Sequence, residues 1–138
     1  PMIRDFGTLD GIVLVKAAKS DVVLIPPGYG HVTINPSDEE TLVMANLVST
    51  AFESEYAFYE KMHGAAWYEL AGNILVRNPH YPNVPHVQEI KNPAPPLQAL
   101  GISSSLYATI GNTVIPDMLN HPEKYIANFS WYIEQDAL

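Results

Sequence analysis

The sequence contains no cysteine and few basic residues. Of its 138 residues, 7 are Lys or Arg and 15 are Asp or Glu, so the formal net charge is −8. The lack of cysteine excludes disulfides, thiolate metal sites and cysteine nucleophiles, and it fits a reducing, cytoplasmic location. Because the basic residues are scattered singly along the chain, we expect no nucleic-acid partner and no membrane partner.

Long hydrophobic runs are missing as well. No apolar stretch approaches the roughly 20 residues that a membrane-spanning helix needs, and no basic segment followed by an apolar one opens the chain. The length predicts one domain, and 47% hydrophobic residues are enough for one core. We therefore expect a soluble globular protein.

Four short stretches rich in Val, Ile, Leu and Thr follow one another in the first third of the chain. Turn-forming residues separate them, which is typical of strands. The connections are too short for crossover helices and so predict antiparallel neighbours in a barrel or sandwich. The predicted strands are GIVLVKAA (11–18), DVVLIPP (21–27), HVTIN (31–35) and TLVMANLV (41–48).

One short helix and one hairpin are predicted next. The helix covers 53–62 and ends at Gly64, and the hairpin is formed by AAWYEL and NILVR on either side of 71–73. We place a boundary after residue 77, so that 1–77 form the strand-rich part of the barrel with this helix.

Residues 78–138 form the second part. Six prolines between Pro79 and Pro96 predict an extended strap without ladder hydrogen bonds, which we expect to be packed on the barrel through apolar side chains such as Tyr81 and Ile90. Helical turns are predicted at 103–106 and 116–119. A last helix is predicted to open at Pro122 and to run toward Trp131.

The most specific pattern is PPGYGHVTIN, which reads Pro26, x, Gly28, two residues, His31, three residues, Asn35. The Pro/Gly pair turns the chain, His31 begins a predicted strand, and Asn35 can close the next turn with its side chain. A neutral imidazole held on a strand inside a barrel is a good ligand for Fe, Mn, Ni or Zn. The alternative is a hydrogen-bonded core histidine.

This motif resembles the second conserved motif of the cupin superfamily, with Ser20 standing where that motif usually opens with Gly. The similarity continues through TLVMANLVSTAFESEYAFYEKMHGAAWYEL and reappears in LNHPEKY, a combination that resembles the cupin-type glucose-6-phosphate isomerases. The resemblance implies an all-β fold, an antiparallel cupin (jelly-roll) β-barrel with its second motif within 1–77. It also implies interconversion of glucose 6-phosphate and fructose 6-phosphate in glycolysis and gluconeogenesis.

The first motif of that family supplies two histidines separated by one residue and a following glutamate, and no His-x-His occurs here. By resemblance His31 is the metal ligand of this chain, and the other ligands come from outside it. We therefore expect a barrel that is incomplete on its N-terminal side, a divalent transition metal site that is incomplete in this chain, and weak metal binding. We also expect a homo-oligomer or a partner that supplies the missing strands.

The predicted contacts to a sugar phosphate substrate are Tyr56, Tyr29 and Thr33. The Glu55-Tyr56 pair falls where the family carries an acidic residue followed by Tyr; the alternative is aromatic packing with Phe52 and Tyr59. If His31 faces the barrel interior, Thr33 and Asn35 share its face and Tyr29 lies at the mouth. The sequence does not identify the catalytic base.

The other histidines, His63, His80, His86 and His121, are read as surface or capping residues. A different class of function remains open, a non-catalytic sugar-binding or structural cupin in which His31 is a core residue. A metal-dependent oxygenase or epimerase on the same barrel is a third hypothesis, because a fold does not determine its chemistry.

Overall fold

The structure is a computed structural model that describes residues 3–5, 8–51, 53–91, 97–98, 100–102, 107 and 110–129. Its regular elements are short. The strands are β1 (Ile3–Asp5), β2 (Thr8–Leu9), β3 (Ile12–Val15), β4 (Trp67–Leu70), β5 (Ile74–Arg77) and β6 (Val87–Ile90). The helices are α1 (Ala57–Lys61), α2 (Val114–Asn120) and a 3₁₀ helix (Pro122–Phe129).

Within this described part, the strands pair two by two. β1 pairs with β2 and β4 with β5, both antiparallel, whereas β3 and β6 are parallel, with Ile12 opposite Val87 and Val15 opposite Ile90. The predicted hairpin around 71–73 is thus confirmed as β4 and β5. Gly72 and Asn73 both take a positive φ, +84° and +59°, which is the left-handed conformation that tight hairpin turns require.

The described residues form no closed barrel, and the prediction of four consecutive antiparallel strands is wrong for them. Of the four stretches only Ile12–Val15 forms a strand, and its partner is the distant, parallel β6. The stretches 21–27, 31–35 and 41–48 have no ladder. Residues with high β propensity become a strand only where another backbone offers its N–H and C=O groups, and propensity does not say which segment does so.

The strap also departs from its prediction, because β6 lies within it. Val87–Ile90 fall between Pro85 and Pro93, so these four residues keep their N–H groups and form ladder hydrogen bonds. The amide of Lys16 adds a hydrogen bond of 2.9 Å to the carbonyl of Ile90. The prolines therefore restrict pairing to this window rather than excluding it.

Two clusters of buried side chains form the core of the described part. The first lies between α1, the hairpin and the beginning of the strap: Leu9, Phe58, Met62, Ala66 and Tyr81. The second joins the C-terminal helices to the stretch before the Pro/Gly turn: Leu24, Leu97, Ile102, Ile115, Met118 and Phe129. None of the helices in the described residues has the length and apolar content needed to cross a membrane.

Helix α1 is shorter than the predicted 53–62. It begins after Glu55, whose Oε1 accepts a hydrogen bond of 2.8 Å from the amide of Ala57 and so satisfies a free N–H of the first turn. It ends at Lys61, and Gly64 closes the turn that follows, with a φ of +109° and an amide that donates to the carbonyl of Tyr59 at 2.8 Å. The preceding His63 is also left-handed, with a φ of +55°.

The turn between α1 and β4 is fixed by two side chains of the strap. Asn78, with 0% of its surface exposed, donates through Nδ2 to the carbonyls of Met62 and Ala65, each at 2.8 Å. Tyr81, 1% exposed, donates from its hydroxyl to the carbonyl of Gly64 at 2.8 Å. Burial, with a smaller effect of the neighbouring Tyr59 and Tyr68, raises the pKa of Tyr81 to about 12. We call this the Asn78–Tyr81 clasp.

The C-terminal helices are held to each other by a polar cluster. Asp117 on α2 accepts a hydrogen bond from the Tyr125 hydroxyl at 2.8 Å and pairs with Lys124 Nζ at 3.1 Å. The helical turn predicted at 116–119 lies within α2, and Pro122 begins the 3₁₀ helix, where its missing N–H costs nothing. The predicted turn at 103–106 and Trp131 lie outside the described residues.

The Asn78–Tyr81 clasp yields a stability prediction. We expect Asn78→Ala to lower the free energy of unfolding by about 2–4 kcal/mol, because two buried carbonyls lose their donors. Urea denaturation, read from the midpoint, measures the change. The exposed Asn83→Ala is the matched control and should stay within about 0.5 kcal/mol; an equal loss in both variants would contradict a specific role for Asn78.

The Asp117 cluster yields a pH prediction. The hydrogen bond from Tyr125, and then Lys124, lowers the pKa of Asp117 below its ordinary value of 3.8. A carboxyl whose pKa is lower in the folded state stabilises the fold above its unfolded-state pKa, and this contribution is lost as the pH falls through the folded-state value. We therefore expect Asp117→Asn to lower the melting temperature at pH 7, with the difference from wild type shrinking below about pH 4. Asp38→Asn is the control, and a difference that does not depend on pH would refute this account.

Candidate functional site

The Pro/Gly turn brings the chain to His31. The amide of Tyr29 donates to the carbonyl of Pro26 at 3.3 Å, and Gly28 takes a φ of +81°. His31 follows in a segment that is not a strand, and its side chain is exposed to solvent rather than lying in a barrel interior. Its role as a metal ligand stays a prediction, because a metal site needs further donor side chains beside His31.

The residues predicted to share the site with His31 lie on the same segment. Thr33 is exposed and Tyr29 is half-buried. Asn35 closes the next turn with its side chain, as predicted: Nδ2 donates to the carbonyl of Glu40 at 2.7 Å, and Oδ1 accepts from the amide of Ser37 at 3.2 Å. The motif therefore consists of a segment around His31 that is not a strand, with one turn before it and one turn after it.

Tyr56 stands just before α1, and its side chain is 64% exposed. Of the two partners in the alternative packing, Phe52 lies outside the described residues, and the ring of Tyr59 meets that of Phe58 edge to face at 5.6 Å. Phe58 also meets Tyr81, at 5.8 Å. The side chain of Tyr56 is therefore accessible from solvent.

Ser20 takes a backbone conformation that favours glycine. Its φ is +75°, a left-handed conformation that costs an L-residue roughly 1 kcal/mol or more. The turn is kept nonetheless by a neighbouring contact, since Asp21 accepts a hydrogen bond of 2.8 Å from the amide of Ala18. Serine is therefore accommodated at this position at the cost of backbone strain.

Whether a metal ion can bind here depends on how the His, Asp and Glu side chains are arranged. The residues that the structure describes contain no group of three His, Asp or Glu side chains able to hold an ion. His63 and His80 stack on each other, with ring centroids 4.3 Å apart, and His121 Nδ1 lies 3.5 Å from Glu123 Oε1. Because catalytic sites usually have three protein ligands, His31 and its described neighbours do not fit a metal ion by themselves.

The predicted site residues line neither of two clefts found in the described part. One, of about 380 Å³, lies between 47–50 and α2, where the buried Ser49 hydroxyl donates to Asn120 Oδ1 at 2.6 Å. The other, of about 340 Å³, lies between the β3–β6 pair and the hairpin and is lined by Leu14, Trp67, Leu75, His86, Val87 and Glu89. The Ser49–Asn120 contact has no local signal in the sequence, because it joins residues 71 positions apart.

Comparison with protein families shows where this chain belongs. A family model described as glucose-6-phosphate isomerase matches residues 3–86, more than half of the chain. The chain belongs to the glucose-6-phosphate isomerase family. The match includes the His31 motif, α1 and the hairpin, whereas LNHPEKY lies beyond it. No curated protein and no solved structure matches the chain.

The strained Ser20 of this isomerase-family chain gives a testable prediction. We expect Ser20→Gly to stabilise the protein by about 0.5–1 kcal/mol, because relief of the left-handed strain exceeds the greater chain entropy of glycine in the unfolded state. The control is Ser54→Gly at an exposed position with an ordinary φ, which should be neutral or destabilising. Thermal and urea unfolding measure both, and a destabilised Ser20→Gly would contradict the assignment of strain.

Proposed function

We propose that this chain takes part in the metal-dependent interconversion of glucose 6-phosphate and fructose 6-phosphate. The observation that carries the proposal is the family match over residues 3–86, because it spans the one motif in the sequence whose residue types suit this chemistry. The reaction moves a proton between two adjacent carbons of the sugar, so it needs a base and a group that stabilises a developing oxyanion.

In this proposal His31 is the ligand that the chain contributes to a divalent transition metal, which would stabilise that oxyanion. The described residues do not complete such a site, and we assign the remaining ligands, following the family resemblance, to residues outside these 138. The exposure of His31 supports this division, since an imidazole that is not covered by its own chain remains accessible to a second set of ligands. The catalytic base is assigned to the same outside residues.

The substrate contacts proposed for this chain are Tyr56, Tyr29 and Thr33. Each has a hydroxyl that can donate to or accept from a sugar hydroxyl or a phosphate oxygen. Tyr56 and Thr33 are exposed and Tyr29 is half-buried, so none of the three is enclosed in the core. Their contribution is orientation of the substrate, and it leaves the proton transfer itself to the base.

An isomerase assay tests the proposal. We expect protein purified with any bound partner retained to convert fructose 6-phosphate to glucose 6-phosphate when Mn²⁺ or Fe²⁺ is present, measured with a coupled dehydrogenase. A chelator should abolish the activity and the metal should restore it. His31→Ala should lower the rate by about 100-fold or more, while unfolding stays within about 0.5 kcal/mol of wild type because the side chain is exposed.

The matched control is His86→Ala, which removes another exposed histidine outside the motif and should keep the activity. The chain alone should hold clearly less than one metal ion per molecule. Stoichiometric metal in the isolated chain would contradict the division of the site, and full activity of His31→Ala would overturn the proposed role of His31.

The lack of a three-donor cluster in the described residues also favours a second candidate, a non-catalytic sugar-binding member of the family. Isothermal titration with glucose 6-phosphate distinguishes the two. Binding that is independent of metal, unaffected by His31→Ala and not followed by turnover would support the second candidate against the first.

A further inference from the structure

Helix α1 begins at an unusual residue. Its N-cap is Tyr56, whose phenol makes no capping hydrogen bond to the amides of the first turn. The residues that usually stand at this position, Ser, Thr, Asp and Asn, use a short side chain for that bond. The first turn of α1 therefore needs an acceptor from another residue.

Glu55 supplies that acceptor. Its Oε1 accepts a hydrogen bond of 2.8 Å from the amide of Ala57, so the carboxylate spans Tyr56. The carbonyl of Tyr56 accepts a hydrogen bond of 3.0 Å from the amide of Glu60. The peptide group between Tyr56 and Ala57 is therefore held at both of its polar atoms, the N–H by Glu55 and the C=O by the helix.

These two hydrogen bonds fix the backbone that carries the Tyr56 side chain. With φ at −111° and ψ at −12°, the direction of its Cα–Cβ bond is set, and the rotamer of the ring is what remains free. The side chain is 64% exposed, so packing restricts it only in part. The position of the phenol therefore depends on whether the first turn of α1 is formed.

The first turn has little other support, because α1 has only five residues. Isolated helices of that length are unstable in water, and tertiary packing usually stabilises them. Here the buried Phe58 anchors the helix in the first core cluster. We expect loss of the Glu55 acceptor to loosen the turn before Phe58, while Phe58 itself stays in the core.

A tyrosine at a helix cap that it does not serve departs from the local rule, and the preceding residue compensates for it. Departures of this kind are expected at functional positions. Because the phenol of Tyr56 makes no capping bond and is exposed, its hydroxyl is accessible to a ligand as donor and acceptor.

We infer that Glu55 is a positioning residue, which fixes the first turn of α1 and so holds the Tyr56 phenol against a hydroxyl of the sugar phosphate. The inference rests on the proposed function in one respect, the contact of Tyr56 with a sugar phosphate, which the catalytic and the non-catalytic candidate share. What the position requires is an acceptor oxygen rather than a negative charge. Glutamine should therefore replace Glu55, and alanine should not.

Isothermal titration with glucose 6-phosphate tests this inference on protein purified with any bound partner retained. We expect Glu55→Ala to raise Kd about fivefold, as for the loss of one helix cap, and Glu55→Gln to stay within about twofold of wild type. In the isomerase assay KM should rise by a similar factor while kcat changes less than about twofold. Glu53→Ala, at an exposed acidic position two residues earlier, is the matched control and should behave as wild type.

A double-mutant cycle separates positioning from a general loss of structure. In the Tyr56→Phe background, which lacks the hydroxyl, Glu55→Ala should weaken binding no further. Hydrogen–deuterium exchange provides a readout without a ligand: the amide of Ala57 should exchange faster in Glu55→Ala and keep its protection in Glu55→Gln. Fully additive losses in the cycle would show that Glu55 does not act through Tyr56.

The outcomes distinguish this inference from the proposed function. Unchanged binding in Glu55→Ala, with faster exchange at Ala57, overturns the inference and leaves the isomerase proposal intact. Weaker binding in that variant, with no turnover by wild type, supports the inference and overturns the isomerase proposal. An equal loss in Glu55→Gln and Glu55→Ala assigns the effect to charge and overturns the acceptor argument. A wild-type protein that binds no glucose 6-phosphate overturns both.

Discussion

Every backbone N–H and C=O group needs a partner, and this requirement governs the structure more than the propensities of its residues do. Three β-prone stretches in the first third of the chain, 21–27, 31–35 and 41–48, have no ladder in the described residues, while Ile12–Val15 form one because Val87–Ile90 lie beside them. The exposure of His31 follows from the same fact. An imidazole can face an interior only where neighbouring strands enclose one.

The part of the chain that does form a core is organised by a polar residue. Asn78 donates to the carbonyls of Met62 and Ala65 in the turn that follows α1, and Tyr81 donates to the carbonyl of Gly64. These contacts bring the beginning of the strap onto the first core cluster and lead the chain toward β6. A buried amide with all its hydrogen bonds formed thus determines where the proline-rich segment lies, which apolar contacts alone would specify less uniquely.

The features that could be predicted from the sequence are those encoded within a few residues. Each of them depends on a left-handed φ or on a side chain that contacts residues close to it in the sequence. They are the hairpin around Gly72 and Asn73, the turn at Gly64 after α1, and the turn closed by Asn35. Other features depend on contacts between segments that are far apart in the sequence. They are the parallel pairing of β3 with β6, the burial of Asn78 against the turn after α1, and the Ser49–Asn120 contact. No local pattern encodes such pairings, so the barrel geometry expected for the site could not be tested by spacing alone.

The backbone around His31 is likewise determined by local turns, whereas a complete metal site needs donors from elsewhere. The turn through Gly28 and the turn closed by Asn35 fix the backbone on both sides of His31, so the motif retains its local form without a barrel around it. Coordination of an ion requires several donors at one point, and the residues that the structure describes contain no group of three such side chains. Family membership rests on the match over residues 3–86, whereas the chemistry of a metal site rests on donors that converge in space, which a family match does not by itself supply.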